Sequence, residues 1–404
     1  MKGPEHLPPA GGRRHWHDRA MTPADVRARK AAALAFATQG FVFISLTTRL
    51  PRFSDHWDLS EVDLSLILLM IVLLAGVGSV VSELVAKRSS SGGTLRAGLL
   101  LVGASVPVVA AAPAVPVFVA GLAVYGVGLG IVDATSNMQA VAVEHRYGRP
   151  ILPSFHGAWT FGGILGASYA LASAHAPLWT AGLVAVVPFA ALAAPYLARE
   201  HGEALTEAEQ VAVPWQPILL VGLGMVLFYM VDTASQTWGP TYLDKTVDGP
   251  HALVALATLP YLVASLVLRL AGDSLVRRYG AVPVLRTGAV VASLALLVVV
   301  TAPSWPVAVL GFTLLGAGVS VIAPLSFSAA ARIAGGEQAR VDAVIARFNQ
   351  FNYVGGLLGA VLTGLVGANN LRIGFAVPMV LILAMLPLAR AFAPVTDRSV
   401  TAAR

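Results

Sequence analysis

The stretch GLGIVDATSNMQ, residues 128–139, contains a carboxylate in an otherwise uncharged setting. Asp133 is the single charged residue between Ala114 and Ala142, and Asn137 follows one helical turn later. An ionised side chain at the centre of a membrane helix costs about 2.5–3.5 kcal/mol on insertion scales, so it must face a cavity or a partner. Low dielectric favours the neutral form of a carboxyl, which suits such a group to take up and release a proton. A hydrogen bond to a neighbouring helix, made only for packing, is the competing reading. Gly126, Gly130, Asp133, Asn137 and Ala140 fall on one helical face. That face is small and polar, as a central cavity requires.

A second stripe recurs later. Tyr229, Asp232, Ser235, Gln236 and Gly239 share helical spacing, with Trp238 beside them. Asp232 is the other acid expected near mid-membrane, and it reads as a second proton-coupling or substrate-binding group, or as the ion-pair partner of Arg49. Arg49 ends the first apolar segment, where it either snorkels to the interface or grips an anionic group. His156 and Trp159 open the fifth segment, and Asn349 and Asn352 occupy the corresponding places in the eleventh. Gln39, with Phe43 one turn on, adds a candidate on the first. The expected proton-coupling pair is therefore Asp133 and Asp232. The expected substrate-binding set is Gln39, Phe43, Arg49, Asn137, His156, Trp159, Tyr229, Gln236, Trp238, Asn349 and Asn352.

These residues need long apolar elements to hold them. Of 404 residues 56% are hydrophobic and 12% charged, against roughly 25% charged in soluble domains. Apolar runs of about 20 residues recur from end to end, which is the pattern of an all-α polytopic membrane protein. Twelve transmembrane helices are expected near 31–52, 61–86, 95–112, 115–143, 152–174, 177–197, 215–242, 251–271, 282–301, 304–330, 341–367 and 371–393. The chain has no cysteine, which excludes disulfides and thiol chemistry. Residues 1–28 are polar and lack the apolar stretch of a signal peptide. His15-Trp16-His17 is too little for a metal site, and neither metal nor cofactor is expected.

Charge placement orients the spans. With the N-terminus in the cytoplasm, 23 of the 27 Lys and Arg residues fall on the cytoplasmic side, and Arg49, Arg52, Lys245 and Arg372 fall outside. That asymmetry predicts both termini inside and an even number of spans. It also accounts for the isoelectric point near 9.8 without nucleic acid.

The two halves of the chain repeat. At an offset of 190, SELVAKRSSSGGTLRAG (82–98) aligns with GDSLVRRYGAVPVLRTG (272–288): Glu83 meets Asp273, Arg88 meets Arg278, and Leu95-Arg96 meets Leu285-Arg286. GGILGA (162–167) matches GGLLGA (355–360). The expected organisation is a tail (1–30), a six-helix bundle (31–197), a central cytoplasmic loop (198–214), a second bundle (215–393) and a C-terminal tail (394–404). Gly162-x-x-x-Gly166 and Gly355-x-x-x-Gly359 read as close helix-packing patterns.

Two six-helix halves joined by a charged loop resemble the major facilitator superfamily (MFS), along nearly the whole chain after residue 30. RLAGDSLVRRYG (269–280) resembles that family's loop between helices 2 and 3, in its second-half copy. The first-half copy has Ser82 and Glu83 where the family has glycine and aspartate. GIVDATSNMQ followed by PSFHGAWTFGGILGA resembles the fucose-permease-like branch and a bacterial group close to it, in which a helix 4 acid precedes an asparagine by four residues. TRLPRF (48–53) also resembles that group, whereas Thr237-Trp238 replaces its Asp-Trp pair on helix 7. The resemblance implies that Glu83, Arg88, Arg269, Asp273 and Arg278 form a cytoplasmic gate; topology alone is the simpler reading of those charges.

The expected function is a proton-coupled secondary transporter, a symporter of a small polar organic solute, working as a monomer in a bacterial cytoplasmic membrane. Its partners are that solute, protons and the lipid bilayer. A proton antiporter exporting a drug or secondary metabolite is the alternative. No HExxH, GxSxG or phosphate-binding loop appears, which disfavours a membrane-embedded enzyme or sensor.

Overall fold

The computed structural model describes residues 22–147, 151–197, 215–334, 344, 348 and 350–393. The side chains of Lys87, His145 and Asp273 lie outside that description, as does all of Asn349. The fold is all-helical among the described residues. The first half comprises α1 (Pro23–Thr47), the short α2 (Leu50–Trp57), α3 (Glu61–Arg88), α4 (Ser91–Ala110), α5 (Val115–Tyr147), α6 (Leu152–Ala172) and α7 (Leu178–Ala191). The second comprises α8 (Trp215–Lys245), α9 (Leu259–Tyr279), α10 (Ala281–Thr301), α11 (Trp305–Val319), α12 (Ile322–Ile333), α13 (Gln350–Val366) and α14 (Leu371–Phe392). Nine described helices are long and apolar enough to cross a membrane, and α7 and α13 are shorter apolar helices.

Local chemistry sets several boundaries. Thr22 and Asp25 form a capping box that starts α1 at Pro23, eight residues before the expected span begins. Ser60 and Asp63 do the same for α3. Gly280, at φ 81°, closes α9 and opens α10 with a single residue, a left-handed conformation that glycine adopts without cost. The expected tenth segment is one continuous apolar span, Trp305–Ile333, with a turn at Ser320 and Val321 that divides it into α11 and α12. Within α13, Leu358–Leu362 winds as a π-helix, and Ala360 O accepts a hydrogen bond from Trp238 Nε1 at 2.7 Å.

The first half has a buried core of its own, and a second core fills the other half and reaches across the seam to Ile44, Leu64 and Leu68. Val42, Leu99, Val106, Tyr125 and Val184 belong to one buried cluster, and Val231, Leu285, Ala292, Phe312 and Phe375 to another. Large apolar side chains such as Leu73, Val80, Leu294 and Leu310 are exposed, as a lipid-facing surface requires. Between the halves, α3 meets α13 and α6 meets α9.

Glycines let the helices touch backbone to backbone. A Cβ on Gly162 would lie 2.0 Å from Ala37 O, and one on Gly166 2.5 Å from Phe41 O, so α6 lies directly on α1. The equivalent Gly355 and Gly359 face Val226 O at 2.6 Å and Met230 O at 2.3 Å, so α13 lies on α8 in the same way. Gly130 places α5 on α3, with a Cβ position 1.8 Å from Ala75 O. Gly130→Ala should therefore lower the melting temperature of the purified protein in detergent, at a cost of about 1–3 kcal/mol. Gly76→Ala on the facing α3, where nothing lies within 4 Å, should melt like the parent; equal melting of the two variants would refute the contact.

Candidate functional site

Asp133 is the nineteenth residue of α5, near the middle of its 33 residues. Its Oδ1 accepts a hydrogen bond from Gln39 Nε2 on α1 at 3.1 Å, and its Oδ2 accepts one from the Tyr353 hydroxyl on α13 at 2.5 Å. Gln39 belongs to the same half of the molecule and Tyr353 to the other. The carboxylate thus stands at the seam between the halves and is held from both sides. Asn137 Nδ2 donates to the backbone carbonyl of Asp133 at 2.9 Å, which ties this turn of α5 together.

Asp232 is the eighteenth residue of α8, in the second half. The Tyr261 hydroxyl of α9 donates to its Oδ1 at 2.5 Å, and Gln236, one turn on, hydrogen-bonds to it as well. Tyr229, one turn back, is close enough to feel the charge of both acids. A cation completes the group. Arg269 Nη1 donates to Thr160 Oγ1 on α6 at 3.2 Å, across the seam, and its Nε donates to Ser320 O at 3.4 Å. Its charge reaches Asp232, Tyr229 and His156.

Aromatic side chains close this layer. His156 stacks on Phe327 of α12, with ring centroids 5.6 Å apart, and meets Phe36 edge-on at 5.5 Å. Trp159 packs near Phe43 at 6.1 Å. Asn352, also half-buried, is the residue before Tyr353 on α13. Two acids, a cation, four amides and several aromatic rings thus share one layer at mid-membrane. Such a layer can bind a polar solute and hold a proton.

Several expectations are corrected. Arg49 does not line this layer and does not pair with Asp232. It is 2% exposed; its guanidinium donates to Ser45 O at 2.7 Å and Ser173 Oγ at 2.6 Å and lies 4.8 Å over the Tyr169 ring, all within the first half. Burial pushes its pKa down to about 10, so it stays charged at neutral pH. Trp238 is fully buried at the end of α8, against Gly364 of α13 and Ser65 of α3, where it seals the seam rather than facing a cavity. Arg269 is expected among the gate charges, yet it is the eleventh of 21 residues in α9 and faces the central layer. Glu83, Arg88 and Arg278 are exposed, and the Arg278 guanidinium lies 5.2 Å over the ring of Tyr279. The Asp273 side chain and Asn349 lie outside the described residues.

Sequence spacing missed Tyr353, Tyr261 and the inward position of Arg269. Tyr353 sits one residue from Asn352, so the signal for that turn of α13 was present. The hydroxyl was passed over because a tyrosine in an apolar run reads as packing.

Two helical bundles with a charged polar layer between them at mid-membrane are the architecture of a secondary transporter. Residues 221–403 match the family model described as Major Facilitator Superfamily. An uncharacterized transporter of Sinorhizobium fredii is 28% identical over 312 residues, 75% of this chain and 82% of its own length. An uncharacterized MFS-type transporter of Yersinia pestis is 26% identical over 93% of this chain and 98% of its own. Among solved structures, a D-xylose–proton symporter superposes with TM-score 0.72 at 15% identity, over 92% of this chain and 98% of its own. The MFS transporter FucP in its outward conformation superposes with TM-score 0.62 at 17% identity, over 92% of this chain and 100% of its own. The second half of the chain thus matches the major facilitator superfamily, and the chain as a whole resembles transporters of that family, FucP-like members among them. It is a multi-pass membrane protein that acts on a small-molecule substrate and is not an enzyme.

The Arg49 geometry makes a prediction about stability. Arg49→Gln removes a buried charge and strands its acceptors, which should cost about 1–3 kcal/mol of folding stability. Folded variant should keep the parental KM. A higher KM with unchanged melting would return Arg49 to the binding site.

Proposed function

We propose that this transporter is a proton-coupled symporter of a small polar organic solute, with Asp133 as the proton-carrying carboxylate. The observation that carries the reading is the position of Asp133, bonded to Gln39 of its own half and to Tyr353 of the other. Alternating access separates the two halves on one side of the membrane and then on the other. A carboxylate bonded across the seam changes its partners in that cycle, and a change of partners is what couples proton binding to the motion. Asp232, with Tyr261 and Gln236, is the second candidate and stays within one half. The solute lies between the two acids, against Gln39, Asn137, His156, Trp159, Tyr229 and Asn352. Two structural neighbours described as a fucose:proton symporter and a D-xylose–proton symporter support the coupling by analogy of fold.

Asp133→Asn keeps size and most hydrogen bonding but cannot exchange a proton. In proteoliposomes the variant should exchange solute down its gradient, yet lose accumulation driven by a pH gradient. Tyr353→Phe should slow the coupled cycle several-fold and leave the uncoupled exchange of Asp133→Asn unchanged, because the hydroxyl acts through that carboxylate. Full accumulation by Asp133→Asn, with loss in Asp232→Asn, would transfer the role to Asp232. Proton-driven extrusion from loaded vesicles would establish the antiport direction instead.

The proposed orientation places both termini in the cytoplasm of a bacterial cell and the α2 and α8–α9 turns outside, on the strength of the basic-residue asymmetry. The cysteine-free chain makes this directly testable. Thr246→Cys should react with an impermeant maleimide in intact cells and Tyr279→Cys should not; the reverse pattern overturns the orientation.

A further inference from the structure

On the face opposite the start of α1, the fold brings Asp55 together with Asp244, Lys245 and His251, about 190 positions later in the sequence. Asp55 is on α2 of the first half. Asp244 and Lys245 end α8, and His251 begins the turn before α9. Lys245 pairs with Asp55 across the seam. It also lies 3.5 Å from Asp244 Oδ2, while His251 Nδ1 lies 2.5 Å from Asp244 Oδ1. The Asp244 side chain is fully buried and the His251 side chain is 74% exposed, so the cluster has a sealed floor and an open mouth. One oxygen each of Asp55 and Asp244 and one nitrogen of His251 lie within 4.8 Å of one another.

Two carboxylates here are held by an ammonium and an imidazole. Zinc carries two positive charges in one ion and bonds three atoms at once, at about 2.0–2.2 Å to nitrogen and oxygen. The mixed nitrogen and oxygen set suits zinc better than calcium or magnesium, which take oxygen ligands. We propose that Asp55, Asp244 and His251 form a zinc site that staples the two halves together on this face. Zinc enters by displacing the Lys245 ammonium and any proton on His251 Nδ1, and water completes its coordination. One ligand comes from the first half and two from the second. The ion therefore favours the conformation in which this face is shut, by its differential affinity for that state. That this face is the outer one rests on the orientation proposed above; the binding itself does not.

The test uses purified full-length protein and zinc chloride, read by calorimetry and by melting temperature. His251→Gln and Asp55→Asn should each weaken zinc binding about tenfold or more, as loss of a first ligand does. Lys245→Gln should tighten it, because the competing cation is gone. His251 is exposed, so its replacement leaves folding intact, and melting without zinc checks this for every variant. The three N-terminal histidines, His6, His15 and His17, are unchanged in all of them and cancel in the comparison. Equal zinc binding by parent, His251→Gln and Asp55→Asn overturns the site. The staple has its own readout. Ser65, buried at the same seam beside Trp238 and Gly364, reports opening as Ser65→Cys. Zinc should slow maleimide labelling of that variant in detergent several-fold, and should not slow it when His251→Gln is added. Zinc binding without slower labelling overturns the staple. Labelling in intact cells fails on its own if the face is cytoplasmic, which separates an error of orientation from an error about the ion.

Discussion

Backbone-to-backbone contact between helices is the constraint on which the rest of this structure depends. In lipid, apolar side chains gain nothing by leaving the solvent, so helices are held by close packing and by polar ties. Gly130 against Ala75 O, Gly162 against Ala37 O, Gly316 against Tyr261 O and Gly359 against Met230 O each remove the side chain that would keep two helices apart. α5 can then lie on α3, α6 on α1, α11 on α9 and α13 on α8. Because α1 and α5 come this close to their neighbours, Gln39 reaches Asp133 with one side chain. A leucine at any of these glycines would force apart two helices of one half and displace the side chains they carry toward the mid-membrane carboxylate.

The repeat in the sequence turns out to be a repeat of chemistry. Arg96 of α4 donates from Nε to Leu192 O, beyond the end of α7, and its counterpart Arg286 of α10 donates from Nε to Leu386 O in α14. Gln139 ties the end of α5 to Leu197, and Arg332 ties the end of α12 to Phe392 O. Each half therefore carries polar ties between its own helices, placed alike in both. The ties across the seam have another character: Asp133 to Tyr353, Arg269 to Thr160, His156 on Phe327, and Asp55 to Lys245. Interhelical hydrogen bonds in membranes are worth about 0.6 kcal/mol on average. A handful of them can be exchanged at modest cost, whereas backbone contact through glycine along whole helices cannot. The halves are built to stay rigid and to move against each other.

Sequence reasoning reached the spans, the repeat and the axis of the site, because these depend on composition and on helical period. Asp133 and Gln39 were legible because a polar residue in an apolar run must find a partner. What period cannot supply is the identity of the neighbour. Arg49 ends its helix one turn from Ser45, so its own carbonyl ladder captured it before any ligand could. Trp238 lies on the face of α8 adjacent to the stripe of Asp232, and one helical step separates a cavity wall from a sealed seam. Arg269 sits in a motif whose charges usually mark a membrane surface, and only its place at mid-helix in α9 moves it inward. The Asp55, Asp244 and His251 cluster joins residues about 190 positions apart, and no local pattern announces it.

The seam gives the Asp133 reading a thermodynamic form. An ionised carboxylate accepts hydrogen bonds only, and here Gln39 and Tyr353 supply one to each oxygen. Separation of the halves removes Tyr353 and leaves Gln39, because Gln39 travels with α5. A carboxylate that loses a donor in low dielectric keeps a charge with less to hold it, whereas the neutral acid needs fewer donors and can itself donate. Opening and protonation therefore favour each other at this residue unless water replaces the lost hydroxyl. By reciprocity, whatever stabilises the closed seam favours the ionised form, and a solute that bridges the halves does the same. Asp232 lacks this property: Tyr261 and Gln236 belong to its own half and move with it. The two acids sit at matching depths in their helices and differ in whether their partners cross the seam. That difference, rather than burial, is what the proposed role of Asp133 rests on.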